Sequence, residues 1–319
     1  MDEFILIKKY FQNLSNNNPG AKKLNDDVFF DKKNKLVVSI DTYNEDVHFP
    51  KFDNPYLIIK KIIRSSISDL ISKGVKPEFY FISGAGSKKT FTKKNLILIS
   101  KSLKEEQKRY NIKLSGGDTT YSNKVSFSIT AIGFAKRIVE RNKARLNDDI
   151  YVTGSIGDSY IGLKIIENKI KVNSQLKKYF INKFYCPNLP FKIYKKLYKF
   201  ANTSMDISDG LISDMNKLIN AQNLSYEIDV DKIPISKNLS LYLKKYKKSK
   251  SKNLFNGDDY QILFTASKDK RSLIKSIGKM MNHKFTIIGR VNNWNKKNII
   301  KLDNKPQNLS NFKGYSHKF

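Results

Sequence analysis

The sequence predicts an α/β (α+β) protein in two domains, and three features of the chain carry that expectation. Over residues 1–140, short β-branched runs and long amphipathic stretches follow one another as strand, helix, strand, helix, strand, strand. A polar, charged break follows at "RNKARLNDD" (141–149), and a second alternation opens at "IYVTGSIGDSYIGLKII" (150–166). Such an order fits sheets covered by helices, here an N-terminal mixed sheet with helices on one face and a C-terminal α/β unit. A chain of 319 residues supplies two cores of ordinary size. The expected division is 1–140 and 141–319.

Each element has its own signal. Residues 3–13 have helical spacing, with acids ahead of the apolar residues and no small-residue cleavage site, which reads as a helix rather than a signal peptide. "KLVVSID" (35–41) is a β-branched run whose end carries Asp41. Residues 54–77 form a long amphipathic helix entered through Pro55, stopped near Gly74 and followed by Pro77. "EFYFIS" (78–83) is a strand and 88–110 a helix; "IKLSGGDTT" (112–120) reads as a strand end with a glycine turn, and "KVSFSITAIGFA" (124–135) alternates as a strand. In the second half, 150–166 reads as strand, glycine turn and helix. A helix at 208–222, a strand at 225–230, a strand at 258–266, a helix at 268–281 and a strand at 284–291 follow.

Composition narrows the function. The net charge of +31 invites a nucleic-acid partner, because polybasic surfaces gain affinity by releasing counterions. Only seven of the 60 basic residues are arginine, the residue best suited to forked phosphate and base recognition, and the lysines are spread through every segment. That pattern is a compositional bias of solvated positions and argues against nucleic acid. No apolar run approaches the roughly 20 residues that span a bilayer. The single cysteine, Cys186, excludes an intramolecular disulfide and fits a reducing cytoplasm.

The acids carry the chemistry. Asp27, Asp41, Asp69, Asp118 and Asp206 each lie at the edge of a strongly apolar element. Taken singly, "NDDV" (25–28) could be a turn, Asp69 a partner for a lysine on its helix, and Ser208 or Asp209 a helix cap. Gathered at one site, such carboxylates repel unless a cation compensates, and hard oxygen ligands point to magnesium. "SGGDTT" (115–120) and "TGSIGDS" (153–159) offer small residues whose backbone N–H groups can approach phosphate. Asp214, a turn beyond Asp209 in "SMDISDGLISDM" (204–215), reads as a solvated helix residue.

In order, "DDV", "VVSIDTYNEDVHF", "ISDLISKGVKP", "LSGGDTT", "NDDIYVTGSIGDSYIGL", "MDISDGLISDM" and "NGDDYQILFT" resemble the thiamine-monophosphate kinase family across nearly the whole chain, to "FKGYSH" (312–317). "DISDGL" and "GGDTT" are shared with the wider aminoimidazole ribonucleotide synthetase superfamily, which implies its two-domain PurM-like architecture with the site between the domains and dimers formed through N-terminal sheets. The resemblance implies ATP-dependent phosphorylation of thiamine monophosphate to thiamine diphosphate, with several Mg2+ ions, ATP as co-substrate, a homodimer, no membrane and a cytoplasmic location. Carried over by position, Asp27, Ser39, Ile40, Asp41, Asp69, Asp118, Asp206 and Asp209 would surround the metals. Gly117, Asp118, Arg141 and Ser208 would bind ATP, and His48, Asp258 and Tyr315 the thiamine phosphate.

Three positions depart from the usual pattern. Asn25 replaces a glycine before the paired acids, Ile40 replaces a threonine so that only its backbone carbonyl can coordinate, and Asp258 replaces a glutamate, one methylene shorter. His48, between Val47 and Phe49, could equally be half-buried and satisfied by a backbone bond, and Tyr315 could simply pack its ring. The attacking group is a phosphate oxygen, already anionic near neutral pH, so no general base is expected. A sibling enzyme of the superfamily using ATP on another acceptor, and a basic nucleic-acid-binding protein, are the competing readings.

Overall fold

A computed structural model describes residues 3–294, 297–307 and 314–317. "FK" of the "FKGYSH" segment lies outside them. Two sheets organise the chain. The first contains β1 (Phe29–Asp31), β2 (Leu36–Asn44), β3 (Pro77–Gly86), β4 (Lys113–Tyr121) and β5 (Ser126–Phe134), in the order β1-β2-β5-β3-β4. All its pairings are antiparallel except β3 with β4. The second contains β6 (Asp149–Thr153), β7 (Thr203–Asp206), β8 (Leu224–Asp229), β9 (Ile262–Ala266), β10 (Phe285–Asn293), β11 (Ile299–Leu302) and β12 (Lys305–Gln307), in the order β12-β11-β8-β10-β6-β9-β7. The helices are α1 (Glu3–Leu6), α2 (Pro55–Ser72), α3 (Lys93–Tyr110), α4 (Asp158–Ile166), α5 (Ser174–Tyr185), α6 (Leu211–Leu218), α7 (Lys237–Lys245), α8 (Ser251–Leu254) and α9 (Arg271–Met281). Among the described residues, no helix is long and apolar enough to cross a membrane.

Helix α2 is the shared axis. Asn54 caps it by accepting from the Leu57 N–H at 3.1 Å, Pro55 opens it with a preset φ, and Gly74 at φ +77° ends it. Its isoleucines Ile58, Ile59, Ile62, Ile63, Ile67 and Ile71 are buried, and it packs on β2 and β5 while touching α3, α5 and β7 of the second sheet. A helix covered on every side buries its polar residues as well. Lys61, Arg64, Ser65, Ser66 and Ser68 are all buried, so each must find a partner. The Arg64 guanidinium forks onto Glu106 of α3, with Nε to Oε2 at 2.8 Å and a second nitrogen to Oε1 at 2.9 Å, and it also donates to the Pro187 carbonyl. The Ser204 hydroxyl at β7 donates to the Ser72 carbonyl at 2.5 Å, tying the second sheet to the helix end.

Several elements differ from the sequence expectation. "SGGDTT" lies inside the edge strand β4 rather than in a turn. Gly116 takes φ +149°, and a Cβ on Gly117 would fall 1.8 Å from the Ile82 carbonyl oxygen. Glycine there answers close strand approach at the β3 bulge. "TGSIGDS" is a turn as expected, but the Gly157 N–H donates to both carboxylate oxygens of Asp259 at 3.0 Å. An internal carboxylate therefore occupies the place assigned to phosphate. The expected strand 258–266 begins only at Ile262, because Asp258 (φ 68°) and Tyr260 (φ 48°) are left-handed. The N-terminal helix is broken: α1 passes into a π-turn at Ile7–Phe11 and a 3-10 turn at Gln12–Ser15. Helix α5 and strands β1, β11 and β12 were not anticipated.

The Arg64–Glu106 pair is closed from water, so removing one partner strands the other charge. Arg64→Met is expected to lower unfolding free energy by about 3 kcal/mol in urea titration. A loss below about 1 kcal/mol would show that Glu106 finds solvent.

Candidate functional site

The site forms where the end of α2 meets β2, β7 and the turn before β1. Asp69 sits in the last turn of α2, Asp206 ends β7, and Asp27 belongs to the 25–28 turn. One carboxylate oxygen from each of Asp27, Asp69 and Asp206 lies within 4.8 Å of the other two. Asp41 of β2 stands beside this group, and its charge raises the affinity of Asp69 and Asp206 for protons. Burial pushes Asp41 and Asp206 up to about 6. It drives Asp69 well above the usual carboxylate range, with the Asp41 and Asp206 charges adding to the effect. Opposing hydrogen bonds come from Ser39 to Asp69, from Ser68 to Asp206, and from the Tyr43 hydroxyl to Asp41 at 3.2 Å. Burial and mutual repulsion together keep these acids from ionising as freely as exposed carboxylates.

The alternation of β2 decides which residues reach this place. Ser39, Asp41 and Tyr43 face α2, whereas the Ile40 side chain is 69% exposed on the opposite face and pairs in the ladder with Thr130. Asp118 is on that outer side as well, in register with Ser83, Ser128 and Thr42 across β3, β5 and β2. Three ladder spacings, about 14 Å, separate its strand from that of Asp41. Within one chain, Asp118 and Gly117 are exposed on the edge strand β4, apart from the Asp27–Asp69–Asp206 group. Asn25, the altered turn residue, exchanges side-chain hydrogen bonds with Asn220 at 2.9 Å.

Two cations enter the cluster. Arg141 grips Asp27 through Nε at 3.2 Å and through a terminal nitrogen, and its backbone N–H donates to Asp26 at 2.9 Å. Lys73, fully buried just past α2, places Nζ 2.8 Å from Asp26 and 2.6 Å from Asp27. Neither Lys73 nor the role of Asp26 was anticipated from sequence, where Lys73 is one lysine among many.

In the opening of α6 the three acids divide their work. Asp214 is fully buried rather than solvated. Its Oδ2 accepts the N–H groups of Ser208, Asp209 and Gly210, each at 3.0 Å, and its Oδ1 accepts from Lys217 at 2.8 Å. Three N–H groups thus converge on one carboxylate ahead of the helix, which runs over Leu211–Leu218 rather than the expected 208–222. Asp209 is half-exposed and also bound by Lys217, while Ser208 is half-exposed with its carbonyl accepting the Asp258 N–H at 2.8 Å.

A second wall lies nearby. Lys61 Nζ is 2.5 Å from Asp258 Oδ1 and 3.9 Å from the centroid of the Phe184 ring, and the Tyr260 hydroxyl donates to the same carboxylate at 3.1 Å. His48 is half-buried, its Nδ1 accepts the Asn44 N–H at 3.0 Å, and its ring lies 5.5 Å from Tyr43 and 5.5 Å from His317. Burial holds the imidazole down at about 4, with His317 adding to the effect. The Tyr315 N–H donates to the Asp209 carbonyl at 2.9 Å, so residues 314–317 fold back over this region. A Cβ on Gly314 would fall 2.5 Å from that of Ser213.

Two mixed sheets sharing a buried helix, with carboxylates converging at their junction, define the class of AIR-synthase-related proteins, and the family model "AIR synthase related protein, N-terminal domain" matches residues 25–135. The thiamine-monophosphate kinase of Buchnera aphidicola subsp. Acyrthosiphon pisum is 31% identical to the chain, with 99% of this chain and 98% of that one covered. The Aquifex aeolicus enzyme of the same name is 32% identical over 74% of this chain and 77% of its own. Among solved structures, AaThiL complexed with AMPPCP and TMP superposes with a TM-score of 0.84 at 30% identity, covering 99% of this chain and 97% of the other. The chain belongs to the thiamine-monophosphate kinase family.

Two outcomes follow from the geometry. Asp214→Ala leaves three N–H groups without their acceptor and Lys217 with Asp209 alone of its two carboxylates, and is expected to cost about 3 kcal/mol in a urea melt. His48 is neutral in the fold, and the unfolded chain takes up its proton first on acidification. Its contribution to stability is therefore complete above pH 6.5 and declines as pH falls from 6.5 toward about 4. An NMR titration of the ring is expected to show its midpoint near 4, and a midpoint above 6 would contradict the buried, neutral placement.

Proposed function

We propose that the chain transfers the γ-phosphoryl group of ATP directly to the phosphate of thiamine monophosphate, forming thiamine diphosphate and ADP. The convergence of Asp27, Asp69 and Asp206 at the junction of the two sheets carries this reading. Membership of the kinase family, and the likeness to AaThiL complexed with AMPPCP and TMP, support it. In the transfer a phosphate oxygen of the acceptor forms the new bond to phosphorus as the bond to the ADP oxygen breaks. That oxygen is already anionic, so no side chain need remove a proton. The reading divides the chain into residues 1–140 and 141–319, with the site between them.

The donor set fits several Mg2+ ions: oxygen ligands only, crowded enough that burial and mutual repulsion resist their ionisation. Asp27, Asp41, Asp69 and Asp206 would hold metal, with Ser39 beside them, the Ile40 carbonyl and Asp118 at the sheet, and Asp209 at the helix start. Bound there, magnesium supplies the positive charge that offsets repulsion between the nucleotide and acceptor phosphates. Arg141 and Ser208 would orient ATP, together with Gly117 and Asp118 of β4. Those two stand on an exposed edge, where a ligand or a second copy of the chain can meet them. The outer face of the first sheet exposes Ile40, Phe81 and Phe134, which suits a homodimer formed through that sheet. His48, Asp258 and Tyr315 would line the thiamine side: a neutral imidazole and a ring for the apolar heterocycle, and a carboxylate for its positive charge. Lys61 positions Asp258. The expected location is cytoplasmic.

Incubation of the purified chain with ATP, Mg2+ and thiamine monophosphate is expected to yield thiamine diphosphate, detected by chromatography. Asp41→Asn and Asp206→Asn are each expected to lower kcat by at least about 100-fold while far-UV circular dichroism stays unchanged. Near-normal turnover of either variant at saturating Mg2+ would remove the metal-assisted account.

A further inference from the structure

We propose that Lys73 is a resident cation of the carboxylate cluster, its ammonium occupying the place between Asp26 and Asp27 that a divalent ion would otherwise take. The inference rests on the metal reading of this site and goes beyond it. It divides the acids into a pair neutralised by the protein itself and a group left for magnesium.

Three observations carry it. First, the Lys73 side chain is completely buried, and all three ammonium donors have acceptors. These are Asp26 Oδ1 at 2.8 Å, Asp27 Oδ2 at 2.6 Å and the Ser204 carbonyl at 2.7 Å. Second, its backbone is pinned from both directions. The Lys73 N–H donates to carbonyls of the last turn of α2, and its own carbonyl accepts the Val139 N–H at 3.0 Å. To vacate the position, the ammonium would have to give up three short hydrogen bonds at a fully buried place. Third, the cations of the protein are shared unevenly among the acids. With the Arg141 guanidinium on Asp27 and its backbone N–H on Asp26, that pair is already compensated, whereas among the described residues the hydrogen-bond partners of Asp41, Asp69 and Asp206 are hydroxyls. Divalent ions are therefore confined to the Asp41–Asp69–Asp206 side, with one oxygen of Asp27 at its margin.

Mn2+ counted by electron paramagnetic resonance tests this, with far-UV circular dichroism to confirm folding. Lys73→Met keeps the length of the side chain and removes its charge. It is expected to bind one Mn2+ ion more per chain than the wild type, or to bind the same number at least about tenfold more tightly. In EDTA the variant is expected to melt below the wild type, and Mn2+ is expected to raise its Tm by the larger amount. Equal Mn2+ binding with an equal Tm response would overturn the proposal. Should Lys73→Met not fold, Asp26→Asn decides instead. Mn2+ binding within about threefold of wild type supports the assignment of Asp26 to Lys73, and loss of an ion overturns it. Mn2+ binding by Lys73→Met alone supports the resident cation even if the wild type binds none. If no form binds Mn2+, the metal reading falls and the inference falls with it.

Discussion

Three buried cations carried by one helix hold the architecture together. Lys61, Arg64 and Lys73 lie on or just past α2, each almost without solvent contact, and each is matched to a carboxylate from a different part of the chain. Arg64 meets Glu106 of α3, Lys61 meets Asp258 before β9, and Lys73 meets Asp26 and Asp27 before β1. A buried ion without its counter-charge costs several kcal/mol, so the helix can be covered on all sides only if these partners arrive together. The position of the second sheet relative to the first is thus set by charge as much as by the isoleucines of α2.

The same condition shapes the site. Asp41, Asp69 and Asp206 are forced together by β2, α2 and β7, and burial makes each of them resist ionisation. Among the described residues, hydroxyls from Ser39, Ser68 and Tyr43 are their close hydrogen-bond partners. The neighbouring pair Asp26 and Asp27 is gripped by Lys73 and Arg141. One acidic region therefore contains a part matched by cations and a part matched by hydroxyls.

Local periodicity made most of the fold legible. β2, β5, α2 and α3 appear in the sequence within a few residues of their observed bounds, because alternation and helical spacing report burial directly. Glycine was the less dependable guide. In "SGGDTT" it marks a close strand approach, and in "TGSIGDS" a turn whose Gly157 N–H already serves Asp259. Nothing in either string states that Ile82 will meet the first or Asp259 the second.

Most of the succession of elements, the family, and the roster of acids that end them were legible in the chain, since each depends on neighbours in sequence, whereas α5, β1, β11 and β12 were not. Only the tertiary structure decided which of those acids share a space. Asp27, Asp69 and Asp206 converge, while Asp118 is carried to the exposed edge by the register of β3 and β4, and Asp214 is turned inward to cap the helix that begins beside it. It also decided which few of the 60 basic residues are not surface at all. A charge is buried or solvated according to what packs over it, and for Lys73 those atoms come from residues 26, 27 and 204.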